Sequence, residues 1–207
     1  METRDALIVI GREYGSGGRA LGRLLSRRMG IPVFDKELLS EAAKEFGISL
    51  PHLVRSDERK PSLLRSVMEG AFGFSPGSQG VQMGSLANAS LYAMQSKVIE
   101  KLAEKGGAIF VGRTADYVLR DNPRLLSIFV HSAPELRAHR IMERGECDNE
   151  SQALDLARRQ DRLRQSYYNF YTGRNWGMAA NYHLSLDLGK TGLEKAAEII
   201  INMVLSM

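Results

Sequence analysis

Cysteine is nearly absent from this chain: Cys147 is the only one in 207 residues, and it lies in the polar stretch RGECDNES. A single thiol excludes an internal disulfide and a cysteine cluster for zinc, and a reducing compartment is the simple reading. Histidine is scarce as well. His52, His131, His139 and His183 lack the i, i+4 spacing of a helical metal site and read as ordinary structural residues. Long apolar runs are missing too, since none approaches the roughly 20 residues that cross a bilayer. The N-terminal METRDALIVIG has too short an apolar stretch, and no small-residue cleavage site, for a leader. These absences predict a cytoplasmic protein that engages no membrane. The sequence also has no internal repeat and no low-complexity tail.

What is present suffices for one well-buried globular domain, with 43% hydrophobic and 25% charged residues. Net charge is only +4, yet eleven arginines fall between Arg113 and Arg174. Such a patch can serve duplex phosphates, but no helix-turn-helix accompanies it, so a nucleic-acid partner is disfavoured. A concave site gathering arginines around a small phosphorylated molecule explains the pattern equally well, and many of these arginines can be solvated helix faces.

The apolar run ALIVI, residues 6 to 10, fits a strand buried on both faces, as central parallel strands are. Leu21, Leu24, Leu25 and Met29 then recur at helical spacing before Gly30 and Pro32 stop the helix. IPVF reads as a second strand ending at Asp35, and a helix with Leu38, Leu39, Ala42, Ala43 and Phe46 follows. From Ser49 to about Leu86 the regularity weakens, and Glu69 to Ser85 is rich in Gly and Ser and reads as a loop. Leu91, Met94, Val98 and Leu102 mark a helix, GGAIFVGR a third strand, LLSIFVHS a fourth, and PELRAHRIMER a helix opened by Pro134. Residues 149 to 164 read as a charged helix, residues 165 to 180 as aromatic and irregular, NYHLSLDL as a last strand, and residues 193 to 205 as an amphipathic closing helix. Strands alternating with helices predict a parallel sheet of about five strands covered on both faces, with ligands at the strands' carboxyl ends. Candidate site residues are therefore the loop of residues 12 to 19, Asp35, Arg113 and Ser132.

The loop GREYGSGGRALG raises the sharpest question. Gly15, Gly17 and Gly18 can bring backbone N–H groups close to an anion at a helix N-terminus; a tight strand-to-helix connection is the plainer alternative. Against G-x-x-x-x-G-K-[ST], Gly17 takes the second glycine, Arg12 the first, Gly18 the lysine and Arg19 the Ser/Thr. Arg19, Arg12 or both could bring the missing positive charge, and a Mg2+ ion would need Ser16, Asp35, or phosphate and water as ligands. Asp35 could equally orient an acceptor or cap the helix before KELL.

REYGSGGRALG, GIPVFDKELL, IFVGRTADYVL, DRLRQSYYNFYTGRNWG and NYHLSL together resemble the cytidylate kinase-like family, relatives of the P-loop nucleoside monophosphate kinases. The resemblance spans nearly the whole chain and is weakest from residues 49 to 86. It implies a three-layer α/β P-loop fold on one domain: a core of residues 1–48 and 86–207, an acceptor-side helical insertion at about 49–85, and a lid at about 149–180. It implies transfer of the ATP γ-phosphoryl group, with Mg2+, to a nucleoside monophosphate or similar small acceptor. Matching the family's motifs, Arg113 after Gly112 would contact the acceptor phosphate, and Asp161 with Arg164 would read the acceptor. Arg158 and Arg159 would neutralise the transferring group, and Gly15, Ser16, Gly17, Gly18 and Arg19 would hold the donor phosphates. SYYNFYTGRNWG departs from true cytidylate kinases: its rings could stack on a base and Arg174 pair with phosphate, or the segment could form a hydrophobic cluster or a homodimer contact. A nucleotide sensor without catalysis, and a nucleic-acid binder using the arginine-rich half, are the alternatives.

Overall fold

The computed structural model of the chain describes residues 3–35, residue 44 and residues 81–207. Two compact units divide the chain, residues 1–35 with 102–207 in one and residues 36–101 in the other. The first holds the sheet: β1 (Leu7–Arg12), β2 (Val33–Phe34), β3 (Ala108–Val111), β4 (Leu125–His131) and β5 (Leu184–Asp187). All pairings are parallel, and the spatial order is β2-β3-β1-β4-β5. The expected five-stranded parallel sheet is what the chain builds. Connections leaving β1 and its neighbour β4 run to opposite edges of the sheet, which opens a crevice at their carboxyl ends.

Burial on both faces explains why β1 reads as one unbroken apolar run. Ala6, Ile8 and Ile10 turn to one side, where Ile109, Leu126, Ile128 and Val130 meet helix α1 (Gly18–Met29). The same layer takes Ala196, Ala197, Ile200 and Val204 of the closing helix, Leu193–Ser206. Each large side chain fully buried here contributes about 1.5–3 kcal/mol. On the opposite face Phe129 lies against Trp176 and Tyr182, with ring centroids 5.3 and 5.1 Å away. That contact leaves no room at Gly11 or Gly177, whose added Cβ atoms would stand 3.0 and 3.2 Å from the Phe129 ring.

Helix α2 (Val81–Glu104) begins inside the Gly/Ser-rich stretch that reads as loop, because Leu86, Ala87 and Ala89 are strong helix formers that extend the register. The expected helix around residues 36 to 47 and most of the insertion at 49–85 lie outside the described residues. After β3 comes a short helix, α3 (Ala115–Val118), and after β4 helix α4 (Pro134–Glu143), with proline in its first turn. Helix α5 (Glu150–Thr172) starts at Asn149, whose side chain accepts from the Gln152 N–H at 3.0 Å, and stops at Gly173 with φ 66°. It runs eight residues past the end of the charged pattern, to Thr172. Aromatic residues are only moderate helix formers, but Tyr167 and Tyr171 pack one turn apart at 4.8 Å, and Tyr168 is buried. Helices α4 and α5 join through Ala138, Ile141, Ala153 and Ala157. The chain then closes with α6 (Leu188–Thr191) and α7 (Leu193–Ser206).

Candidate active site

The glycine loop is defined by where its carbonyls go. Arg12 O accepts from Arg164 Nη1 at 3.3 Å, and Glu13 O from the Ser16 hydroxyl at 2.9 Å. Tyr14 O accepts from Arg137 Nε at 2.7 Å. Arg140 Nη1 donates to Gly15 O at 3.3 Å and to Ser16 O at 2.9 Å, and the Leu21 N–H closes the first helical turn on Gly17 O at 3.0 Å. Every carbonyl from Arg12 to Gly17 is thus held back by the protein. Peptide bonds here are trans, so a carbonyl tied to one side turns the next N–H to the other. The N–H groups of Gly15 and Gly17 face away from Arg137 and Arg140, beside the N-terminus of α1, whose N-cap Gly17 carries no side chain to cap it. This is the physical form of an anion-binding nest. The turn requires glycine at 15 and 17, with φ of 78° and 101°. A Cβ on Gly15 would press within 2.8 Å of the Arg137 carbonyl.

Arg12, at the end of β1, lies among charges. Its guanidinium rests on the backbone of Gly112, where a Cβ would collide with Nη1 and stand 2.8 Å from Cζ. Burial, then the neighbouring Arg164, Arg113 and Arg19, press its pKa well below the usual arginine value, and Asp35 alone among the named charges opposes them. A guanidinium stays protonated in proteins, so the physical content is a surplus of positive charge that an anion would relieve. Arg19 is more open, its side chain 55% exposed and 3.8 Å from the Asp35 carboxylate. Arg113 follows Gly112 in a turn where Gly112, Arg113 and Thr114 have φ of 76°, 64° and 54°. Two consecutive non-glycine residues at positive φ, one of them β-branched, are strained backbone of the kind found at functional sites.

Helix α5 holds the loop and the turn together. Its inward stripe runs Ala153, Ala157, Asp161, Arg164, Tyr168, Thr172 at helical spacing. Asp161 accepts from the Tyr14 N–H at 2.7 Å and pairs with Arg164 at 3.2 Å and with the buried Arg137. Arg137 also meets Glu13 at 3.1 Å, so each nitrogen of its guanidinium fork is used. Tyr14 lies under Arg164 and Arg144, its centroid 5.0 and 5.5 Å from them, and donates its hydroxyl to Glu146. Burial and that bond push its pKa up to about 12. Two turns on, Tyr168 donates to the buried Asp116 Oδ2 at 2.8 Å, behind the strained turn. Burial raises the Asp116 pKa, and burial beside Asp116 pushes Tyr182 up to about 12.

The structure therefore brings Arg12, Gly15, Ser16, Gly17, Gly18, Arg19, Asp35, Arg113, Asp161 and Arg164 to the carboxyl edge of the sheet. Ser16 is fully buried, with its hydroxyl committed to Glu13 O. Arg174 stands 5.3 Å from the Tyr117 ring centroid and near Asp116. Arg158 and Arg159 are exposed and off the inward stripe, and Arg158 pairs with Asp155 at 3.3 Å. Asp116, Arg137 and Arg140 carry the site without having been singled out from sequence, and Glu13 and Tyr14 were reached only as members of the loop of residues 12 to 19. The available signal was Arg137 and Arg140 at i, i+3 just after the strand-end Ser132, which aims one helix face at the loop.

The model of the cytidylate kinase-like family matches residues 7–190. An uncharacterized protein from Eubacterium ventriosum is 30% identical, with TM-score 0.73, over 99% of this chain and 100% of that one. A shikimate kinase from Bacteroides thetaiotaomicron is 12% identical, with TM-score 0.54, over 98% of this chain and 99% of its own. A gluconokinase from Sinorhizobium meliloti is 15% identical, with TM-score 0.50, over 98% and 93%. No curated protein matches the chain. The last two likenesses show the fold alone, which is that of the P-loop kinases. Among the described residues no helix is long and apolar enough to cross a membrane.

Proposed function

Because the chain belongs to the cytidylate kinase-like family, we propose that it is a phosphotransferase moving the γ-phosphoryl group of ATP to a nucleoside monophosphate or a similar small acceptor. The observation that carries this reading is the loop whose carbonyls from Arg12 to Gly17 are all drawn back. What remains on its concave side is N–H groups and arginine, the chemistry of a polyphosphate cradle. Phosphoryl transfer asks for positioning and charge neutralisation rather than a covalent residue. In this reading the backbone of residues 15 to 19, with Arg12 and Arg19, holds the donor phosphates. Arg113 receives the acceptor's anion from its strained turn, and Arg174 lies on that side. Arg158 and Arg159, on the exposed face of α5, take no part in this arrangement. Arg164 reads the acceptor, while Asp161, bonded to the Tyr14 N–H, fixes the loop as well.

Mg2+ suits this site as a companion of ATP. Among the described residues no three His, Cys, Asp or Glu form a metal cluster, the Ser16 hydroxyl is committed, and Glu13 and Asp161 are bound to Arg137 behind the loop, so Asp35 is the carboxylate we assign to the ion. Bound there, the ion would neutralise phosphate charge.

The test is a coupled ADP-release assay across nucleoside monophosphates and small alcohols, run beside Arg19→Ala and Arg113→Ala. An acceptor that stimulates release, with either substitution lowering it, supports the reading. ATP binding without turnover points to a sensor; steeply salt-dependent oligonucleotide binding without ATP binding points to nucleic acid.

A further inference from the structure

Gly18, at the place of the lysine of an ordinary phosphate loop, has a specific neighbour. A Cβ there would stand 2.8 Å from Arg12 Cβ, 2.9 Å from Arg12 Cγ and 3.1 Å from Val130 Cγ2. The Arg12 stem fills the volume through which a side chain at position 18 would leave the backbone. At its far end the same side chain lies where a Cβ on Gly112 would be. Arg12 therefore runs from the glycine loop to the turn carrying Arg113, and two glycines make its path. Arg19 has no such constraint, since it sits on the outer turn of α1, 55% exposed and turned toward Asp35.

We propose that Arg12 is the catalytic cation that meets the donor's terminal phosphates in place of the missing lysine, and that Gly18 and Gly112 are glycine because Arg12 occupies their side-chain space. The charge has been moved from the loop to the end of β1. A guanidinium fork needs more lateral room than an ammonium, and the stem from a strand end supplies it without crowding the nest. Arg164, which donates to Arg12 O, holds the backbone from which the stem starts.

This inference rests on the phosphotransferase reading, and the experiment separates the two. Affinity for ATP and for inorganic tripolyphosphate is measured by calorimetry, with steady-state turnover alongside. The chains compared are wild type, Arg12→Met, Arg19→Ala, Arg12→Gly, Gly18→Lys and the double variant Arg12→Gly/Gly18→Lys. Methionine keeps the packed stem and removes the charge. Glycine at 12 is required in the double variant because even an alanine Cβ would sit 2.8 Å from the new Cβ at 18. Arg12→Met is expected to weaken tripolyphosphate binding by about 10-fold or more, as loss of a charge-assisted contact does, and Arg19→Ala by less. Gly18→Lys alone is expected to bind poorly, and the double variant to recover affinity and turnover above either single change at those positions. If wild type binds neither ATP nor tripolyphosphate, the phosphotransferase reading falls and this inference with it. If wild type binds and turns over while Arg12→Met matches it, or Arg19→Ala is the more damaging change, or the double variant is no better than Arg12→Gly, the inference alone is overturned.

Discussion

Gly112 and Gly30 share a left-handed backbone, with φ of 76° and 67°, but not the same surroundings. An added Cβ meets nothing within 4 Å at Gly30 and meets the Arg12 guanidinium at Gly112. Gly30→Ala is expected to cost about 1 kcal/mol, the ordinary price of a left-handed alanine. Gly112→Ala should cost clearly more, about 2–3 kcal/mol, because the guanidinium must also move. Equal losses in urea melts would show that Arg12 does not pack there. Asp116 gives a pH-dependent counterpart. Its folded pKa is raised, so ionisation is harder in the folded than in the unfolded chain, and its contribution to stability is lost as pH rises from the ordinary aspartate range through the folded value. Asp116→Asn keeps an acceptor for Tyr168 and removes that loss. Thermal melts from pH 3 to 8 should show the variant gaining on wild type as pH rises, and a constant difference would refute the assignment. Neither residue could be valued from sequence: Gly112 resembled any strand-end glycine, and what matters is a side chain a hundred residues away.

Helix α5 is where reading the sequence fell short at the level of elements. Its start was legible, because Asn149 stands before a run of helix formers. Its end was not, because four rings between residues 167 and 171 suggest an irregular segment until tertiary burial of Tyr168 decides otherwise. The two ends of the helix's role can be weighed by mutation. Asn149→Ala removes an exposed cap and should cost about 1 kcal/mol. Asp161→Ala strips the buried Arg137 of one carboxylate and the Tyr14 N–H of its acceptor, and should cost about 3–5 kcal/mol. Denaturant midpoints at constant slope measure both, and comparable losses would mean that Asp161 is no brace.

For the molecule as a whole, the alternation of apolar runs with helical stripes made the parallel sheet legible, and with it the carboxyl edge where the site lies. The back of the glycine loop stayed hidden, since Tyr14 and Asp161 are 147 residues apart, and no local pattern reports contacts of that separation. The clustered arginines carry a further prediction. A polyphosphate that binds only the folded chain stabilises it by about 2.7 kcal/mol at 100 times its Kd, which for this size is a rise of roughly 5–10 °C in Tm. The rise should shrink with added sodium chloride as the charges are screened. Tripolyphosphate titrations followed by thermal melts test this, and a rise indifferent to salt would deny the arginines their part.

Asp161 and Tyr168 lie seven residues apart on one face of α5, one fastened to the glycine loop and the other to the turn of Arg113. Two turns of helix form a stiff rod, so under the proposed function the sites of donor and acceptor would hang from a single beam. A ligand that steadied one end would then alter the grip at the other, and any affinity the second gained from the first would be returned in equal measure.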